Sequence, residues 1–512
     1  MTVGLRRQSS PNEAHPDDAT AAVRALVHPA DWSTPEPVGR YDLVVLGGGT
    51  AGLVSAMGAA GLGARVALVE RHLLGGDCLN TGCVPSKAII RSARAIGELR
   101  RAAALGVTAP SVDIDFGAVM RRMRERRASI AVNDSAERVR RAGIDVFFGS
   151  ARFADTETVV VGNSRLRFRR AVIATGGRPV APPVPGLDGV SYLTNETIFD
   201  LTVLPKRLLI IGAGPIGCEL AQAFARFGST VTVLDQSHEI LPREDADAAA
   251  VVRRSMLRDG IHFELGVRLD RVDHVDGDVL VQLLRSVAGR TEASSVSGDA
   301  ILVAAGRAPN LEDLHLDAAG IQSSKQGVVV TDRLQTSNPR VYASGDVCSV
   351  FKFTHAADAM SRIVLQNALF FGRRKASALV IPWVTYTDPE VAHVGVSLAE
   401  AAQADSRLAT VTVQLCEVDR AIVDDETDGF VRVHHERGRL RGCTIVAPHA
   451  GEMIGEVVYA MGHGGTLADL SATVHPYPTQ AEALRKAGDA YRRQSLTPGV
   501  KRWFERYFRW TR

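Results

Sequence analysis

The chain contains the same unit twice. "YDLVVLGGGTAGLVSAMGAAGLGARVALVE" begins at residue 41, and "RLLIIGAGPIGCELAQAFARFGSTVTVLDQ" begins at residue 207. Each unit opens with an apolar run suited to a buried parallel strand. G-x-G-x-x-G and a helical segment follow, and a second apolar strand ends in an acid. The first glycine and the acid stand 23 residues apart in both copies, Gly47 to Glu70 and Gly212 to Asp235. In such a unit the first glycine permits a tight turn, the second lets backbone approach a pyrophosphate, and the third allows close helix–strand packing. These places fall to Gly47, Gly49 and Gly52 in one copy and to Gly212, Gly214 and Gly217 in the other. The helix N-terminus adds free N–H groups and partial positive charge for the phosphates. Glu70 and Asp235 are placed to accept hydrogen bonds from a ribose. One glycine pattern alone is a weak signal; the whole unit repeated at a fixed interval is a strong one.

Two dinucleotide sites in one chain imply electron transfer between two cofactors, FAD in one site and a nicotinamide in the other. Asp235 favours NADH over NADPH, because it would repel a 2′-phosphate. Gln236, His238 and Arg243 nearby keep NADPH open.

At 512 residues the chain exceeds a single core. A formal net charge of +3 gives no nucleic-acid signal. Six cysteines are no disulfide framework and favour a reducing, cytoplasmic setting. No apolar run is long enough to span a bilayer. Residues 1–40 are rich in Pro, Asp, Ala and Ser and lack a signal-peptide core. They are expected to form a disordered or loosely docked tail.

Two cysteines stand out in "GGDCLNTGCVPSK", residues 75–87. Zinc normally needs three or four protein ligands, and no second Cys/His cluster accompanies Cys78 and Cys83, so no metal site is expected. A disulfide needs Cα atoms roughly 4.4–6.8 Å apart. Five residues along a straight helix rise about 7.5 Å. A bonded pair therefore requires a break, and Asn80, Thr81 and Gly82 permit one. Pro85 suits the first turn of a helix. A cysteine at that position, helped by Lys87, has a lowered pKa. Cys218, Cys348, Cys416 and Cys443 show no pairing pattern and are read as buried or incidental thiols.

The order of motifs resembles the class I pyridine nucleotide–disulfide oxidoreductases: lipoamide dehydrogenase, glutathione reductase and mercuric reductase. Besides the segments above it rests on "VIATGGRP" (172–179), "LVAAGRAPN" (302–310), "VYASGDVC" (341–348), "YTDPEVAHVG" (386–395) and "HPYPTQAEA" (475–483). The resemblance implies an α/β fold: two Rossmann-like dinucleotide-binding domains (FAD and NAD(P)) plus a C-terminal α+β dimerisation domain. The expected division is a tail (1–40), an FAD-binding domain (41–183), an NAD(P)-binding domain (184–308), a second part of the FAD or central domain (309–378), a dimerisation domain (379–495) and a basic aromatic helix (496–512). It implies a homodimer that oxidises NADH or NADPH.

By the same resemblance, Gly47, Gly49, Gly52 and Glu70 hold the ADP part of FAD. Ala151 contacts adenine, Asp346 holds the ribityl chain, and Thr354 caps a helix aimed at the flavin. Gly212, Gly214, Gly217, Glu219, Asp235 and Gly306 belong to the nicotinamide site. Lys87 and Glu219 form an ion pair near the flavin. Cys83 is the flavin-facing thiol, and Cys78 attacks the substrate. Pro215 stands where glutathione reductase-like sequences carry an aromatic gate, as in the lipoamide dehydrogenase and mercuric reductase type.

The pattern breaks near the C-terminus. The family carries His-Pro-Thr-x-x-Glu, whose His is the acid/base acting across the dimer and whose Glu orients it. Here Pro478, Thr479 and Glu482 match, but Tyr477 replaces the His. A Tyr with a pKa near 10 is a poor base. It can donate a hydrogen bond or coordinate a metal. His475, two residues earlier, is either a substitute base or a structural residue. Mercuric reductases resemble this Pro-Tyr-x-Thr stretch more closely, yet their terminal vicinal cysteines and N-terminal Cys-x-x-Cys domain have no counterpart in "KRWFERYFRWTR" or in residues 1–40.

The expected activity is thus NAD(P)H-driven reduction, through Cys78–Cys83, of a thiol or disulfide, a metal ion or a small acceptor. Mercuric reductase proper, a quinone or dye reductase working directly from flavin, and a flavin-bearing interaction module without turnover are the alternatives. In the last segment Val500, Trp503, Phe504, Tyr507 and Phe508 follow helical spacing, with Lys501, Arg502, Glu505, Arg506 and Arg509 largely on other faces. Such a helix either docks on its own dimer or lies peripherally on an anionic inner membrane face.

Overall fold

The computed structural model describes residues 16–37, 39–108, 112–287, 289–403, 407–494 and 496–512. The apolar run before the first glycine forms Arg40–Leu46, with Leu43 to Leu46 fully buried. Burial on both faces is what a strand inside a parallel sheet requires. It pairs in parallel with Val66–Glu70 on one side and Ser164–Ile173 on the other. Ile144–Phe148 extends the sheet beyond Val66–Glu70. Thr158–Val161 and Ala151–Asp155 continue it as an antiparallel flap. Much later in the chain Val341–Ala343 returns and pairs in parallel with Ser164–Ile173. That return delivers Asp346 beside the first glycine turn: Ser344 N–H donates to Ile173 O at 3.0 Å.

The second glycine unit builds its own parallel sheet, in the order His262–Leu265, Thr230–Asp235, Arg207–Ile211 and Ala300–Val303. A three-stranded antiparallel sheet lies between the last two of these in sequence: Val267–Val275, Asp278–Val287 and Arg290–Gly298. The third unit is a five-stranded antiparallel sheet of Pro382–Thr385, Glu390–Gly395, Arg439–Ala447, Phe430–Glu436 and Ala409–Gln414, flanked by helices Ala450–Gly462 and Glu482–Gln494. The fold is the α/β class with an α+β C-terminal part that the motifs predict. The units share core. Helices Cys83–Arg101 and Pro215–Phe227 pack together in one cluster. Arg226, almost fully buried, bridges Asp259 at 3.0 Å and Asp388 at 2.8 Å.

The expectation of a loose tail is corrected for its described part. Pro16–Val27 is a helix, with Val23 and Val27 buried in the core of the first unit. Averaged composition concealed the stripe of Val23, Leu26 and Val27 at helical spacing. Residues 1–15 lie outside the described residues. The C-terminal segment forms the helix Pro498–Thr511, which has no buried residue.

Candidate active site

The segment that carries Cys78 and Cys83 is two helices with a break between them. Gly76–Asn80 ends at Thr81, and Cys83–Arg101 starts after Gly82, whose φ of −135° and ψ of −115° are not helical. Both cysteines are thiols. Cys83 Sγ lies 3.4 Å from Thr354 Oγ1. Thr354 is not the N-cap expected of it. Phe353 occupies that position without a side-chain capping bond, and Thr354 is the first residue of Thr354–Leu369. Its hydroxyl faces the cysteine instead.

The two thiols share a proton unequally. A hydrogen bond from Cys78, a second from Thr354 and the charge of Lys87 bring Cys83 down to about 6, against the opposing effect of burial. Cys78 is pushed well above an ordinary thiol, first by that same bond to Cys83 and then by burial. The Thr354 hydroxyl and the Lys87 ammonium thus favour negative charge on Cys83 over Cys78.

Lys87 Nζ donates to Glu219 Oε2 at 2.8 Å and stands 4.5 Å over the Tyr386 ring. Glu219 Oε1 accepts the Tyr386 backbone N–H at 2.9 Å. Burial opposes the charge on Lys87, but the Glu219 carboxylate outweighs it and holds the ammonium above its ordinary value. Lys87 and Glu219 thus join the first and second units directly behind the cysteines.

The two glycine units are built alike. Gly48 N–H donates to Glu70 Oε2 at 2.6 Å, and His72 N–H donates to Oε1 at 2.7 Å. In the second copy Ala213 N–H and Ser237 N–H donate to the two oxygens of Asp235, each at 2.7 Å. Each acid is thus fixed by backbone and keeps spare lone pairs for ribose hydroxyls. A Cβ on Gly52 would stand 1.7 Å from Gly47 O, and one on Gly217 would stand 1.9 Å from Gly212 O. Only glycine permits that helix–strand contact. The helices that follow, Thr50–Gly61 and Pro215–Phe227, begin at Gly49 and Gly214 with no side-chain cap, leaving first-turn N–H groups for phosphate. These residues fit a dinucleotide in each copy.

Ala151 opens the flap strand Ala151–Asp155, in the sheet that carries Glu70. Burial raises the Asp346 carboxyl above its ordinary value, while Arg307 and Lys352 oppose that. Gly306 lies on the loop between Ala300–Val303 and Arg307–Pro309, where its carbonyl accepts the Val180 N–H at 3.1 Å.

His475, Tyr477 and Glu482 lie in the C-terminal unit. His475 Nε2 is 3.0 Å from Glu456 Oε2, and Tyr477 donates to Asp419 Oδ2 at 3.0 Å. The bond to Asp419 raises the Tyr477 phenol further above 10. Buried Glu482 pairs with Arg485. Their partners all belong to the C-terminal unit rather than to the cysteine cluster.

Two residues carry more of the site than their sequence suggested. Arg307 donates to Asp77 and to Gly177 O at 2.8 Å, and its Nε lies 3.7 Å from Asp346 Oδ2. It ties the helix that carries Cys78 to the Asp346 loop. Tyr386 covers Lys87. Both sit inside quoted motifs, but nothing in their spacing marked a partner in another unit.

Residues 41–361 match the family described as pyridine nucleotide-disulphide oxidoreductase, and residues 381–488 match its dimerisation domain. A mercuric reductase of Lysinibacillus sphaericus is 34% identical over 450 residues, covering 87% of this chain and 82% of that protein. Dihydrolipoyl dehydrogenase 2 of Haloarcula marismortui is 34% identical over 467 residues, covering 89% and 97%. Among solved structures, LpdA from Mycobacterium tuberculosis gives a TM-score of 0.80 at 28% identity, covering 89% of this chain and 100% of that one. The Cu(II) complex of the HOCl-induced flavoprotein disulfide reductase RclA from Escherichia coli gives 0.78 at 28% identity, covering 88% and 100%.

Two glycine-turn cradles that fit dinucleotides, in a chain that matches this family over residues 41–361, define a pyridine nucleotide-linked flavoprotein reductase. The chain belongs to the pyridine nucleotide–disulphide oxidoreductase family. It is an FAD-dependent, pyridine nucleotide-linked oxidoreductase, mercuric reductase-like, whose dimerisation domain supports a homodimer. Among the described residues no helix is long and apolar enough to cross a membrane.

Proposed function

We propose that the enzyme reduces a thiophilic acceptor, a soft metal ion or a disulfide, through the pair Cys78 and Cys83. The observation that carries this reading is the convergence of Cys78, the Thr354 hydroxyl and Lys87 on Cys83. FAD, when bound, supplies a two-electron carrier between the nicotinamide and the cysteine pair. For the cysteines, two electrons and one proton enter, the S–S bond breaks, Cys83 keeps the negative charge and Cys78 takes the proton. The donors around Cys83 stabilise that charge. Cys78 must then lose its proton before it attacks a disulfide or binds a metal ion.

His475, oriented by Glu456, accepts that proton across the dimer. Tyr477 is the hydrogen-bonding or metal-coordinating group beside it, and Glu482 with Arg485 holds their segment. Glu70 and Asp235 take the two riboses, Ala151 the adenine and Asp346 the ribityl chain. Gly306 lines the nicotinamide nucleotide's site. The fixed carboxylate of Asp235 supports NADH over NADPH.

Anaerobic titration of the FAD-loaded enzyme with NADH and with NADPH tests the reading. A long-wavelength band from a thiolate against oxidised flavin supports it. Full flavin loading with no such band from either nucleotide overturns the assignment of Cys83.

The C-terminal helix supports peripheral contact with an anionic membrane on the cytoplasmic side. Trp503, Phe504, Tyr507, Phe508 and Trp510 are all exposed along Pro498–Thr511, and Arg502, Arg506 and Arg509 fall on its other side.

A further inference from the structure

Residues 16–37 precede the family match, which starts at 41, yet they are bound into the first unit at several points. His28 stacks on Phe148 with ring centroids 4.1 Å apart and planes 7° from parallel. Trp32 meets the same ring edge-on at 5.8 Å, and its indole donates to Val146 O at 3.0 Å. Phe148 is the direct neighbour of Glu70 in the sheet register. His28 Nδ1 also bonds His72 O, and the His72 N–H is one of the two donors that fix Glu70. Next along, the Leu74 N–H donates to Val27 O at 3.3 Å, and the Gly75 N–H donates to Gly48 O in the glycine turn at 2.9 Å.

A third tie lies closer to the cysteines. Arg127, buried, donates to Thr20 Oγ1 and to Asn80 O, each at 3.1 Å. Asn80 in turn donates to Leu74 O at 3.1 Å. The arm therefore holds Phe148 and His72, which flank the ribose acid Glu70, then Leu74 beside the pyrophosphate glycines, and through Arg127 it reaches Asn80, the last residue of the helix that carries Cys78.

We propose that residues 16–37 form a clasp whose His28 and Trp32 are positioning residues for the adenosine end of FAD. By holding Phe148, His72 and Leu74 they keep Glu70 in place before the cofactor binds. Preorganisation of this kind raises affinity by lowering the ordering cost of binding. The clasp rests on the assignment of FAD to the first glycine unit.

The test compares wild type, His28→Ala, and His28→Ala with Trp32→Ala. FAD is stripped from each and titrated back, and melting temperatures are recorded with and without saturating FAD. The clasp predicts that the double variant binds FAD roughly tenfold more weakly, the scale expected on losing an aromatic stack and its hydrogen bonds. It also predicts a smaller rise in melting temperature on adding FAD. A merely structural arm lowers the apo and holo melting temperatures equally and leaves that rise, and the FAD affinity, unchanged; this result overturns the proposal. His28→Ala alone reports if the double variant does not fold. A wild type with no FAD-dependent rise would instead remove the cofactor assignment on which the clasp depends.

Discussion

Cys83 Sγ and the Thr354 hydroxyl lie 3.4 Å apart although 271 residues separate them in sequence. The contact exists because the chain leaves the first unit, builds the second, and returns at Val341–Ala343 to the sheet it started. Helix Thr354–Leu369 then opens against the helix that begins at Cys83.

That contact makes the charge on Cys83 testable. The Cys83 thiol is held down to about 6, so its thiolate is present above that pH and is lost as pH falls through it. Thr354→Val removes a donor to the thiolate and moves the midpoint up by roughly one pH unit. Lys87→Met moves it in the same direction. It also leaves buried Glu219 without its cation, at about 2–3 kcal/mol of stability after allowing for the partial exposure of Lys87. Thiolate absorbance of the reduced protein against pH gives the midpoints, and denaturant titration gives the stabilities. An unmoved midpoint in both variants would refute the electrostatic account of this cluster.

Cys78→Ser separates the acceptor classes. A disulfide or a soft metal ion needs the outer thiol, so its NADH-driven reduction falls by roughly a thousandfold. A quinone that accepts electrons directly from flavin is still turned over. Steady-state rates with a mercuric salt, a small disulfide and a benzoquinone compare the two routes. Metal or disulfide turnover unaffected by the substitution would remove the pair from the pathway.

Much of this was legible in the sequence because it is local. The strand–glycine–helix–strand units are short-range patterns, and each fixes its own acid through neighbouring backbone. The break between Cys78 and Cys83 was foreshadowed by Asn80, Thr81 and Gly82. Contacts between units left no periodic trace, so Arg307 against Asp77, Tyr386 over Lys87 and the side chain of Thr354 became visible only in three dimensions. The arm helix was missed for a different reason. Its core-facing residues, buried Val23 and Val27 with half-buried Leu26 against them, are too few to lift the average hydropathy of a polar tail.

The two glycine units give separable losses. A Cβ at Gly217 would stand 1.9 Å from Gly212 O. The helix must shift away, at about 1–3 kcal/mol, and the nucleotide turn moves with it. Gly217→Ala is expected to bind FAD normally yet be reduced poorly by NADH, whereas Gly52→Ala is isolated largely without FAD. Flavin content after purification and stopped-flow bleaching of the flavin distinguish them. Loss of flavin from Gly217→Ala with its retention by Gly52→Ala would reverse the assignment of the two sites.

The exposed aromatic face of Pro498–Thr511 gives a binding prediction. Charge attraction and aromatic insertion act together at an anionic surface, and only the first is weakened by salt. The full-length enzyme should float with vesicles of phosphatidylglycerol and phosphatidylcholine, less so with phosphatidylcholine alone. A chain truncated after Thr497 should stay behind in both cases. Equal flotation of the two proteins would remove the membrane reading. A truncated chain that turns monomeric would assign the helix to the dimer instead.

The last prediction concerns which side chain moves the proton. Asp419 raises the Tyr477 phenol above its ordinary value, so still less phenolate is available to take a proton near neutral pH. His475 has a carboxylate partner, Glu456, at 3.0 Å, the arrangement that orients an imidazole for proton transfer. His475→Gln is therefore expected to slow disulfide or metal reduction by roughly a hundredfold or more. Tyr477→Phe should keep most of the rate and alter mainly KM. Flavin reduction by NADH in a single turnover should be unchanged in either variant, because among the described residues the side-chain partners of both, Glu456 and Asp419, lie in the C-terminal unit. A kcat that collapses with Tyr477→Phe and survives in His475→Gln would transfer the role to the tyrosine.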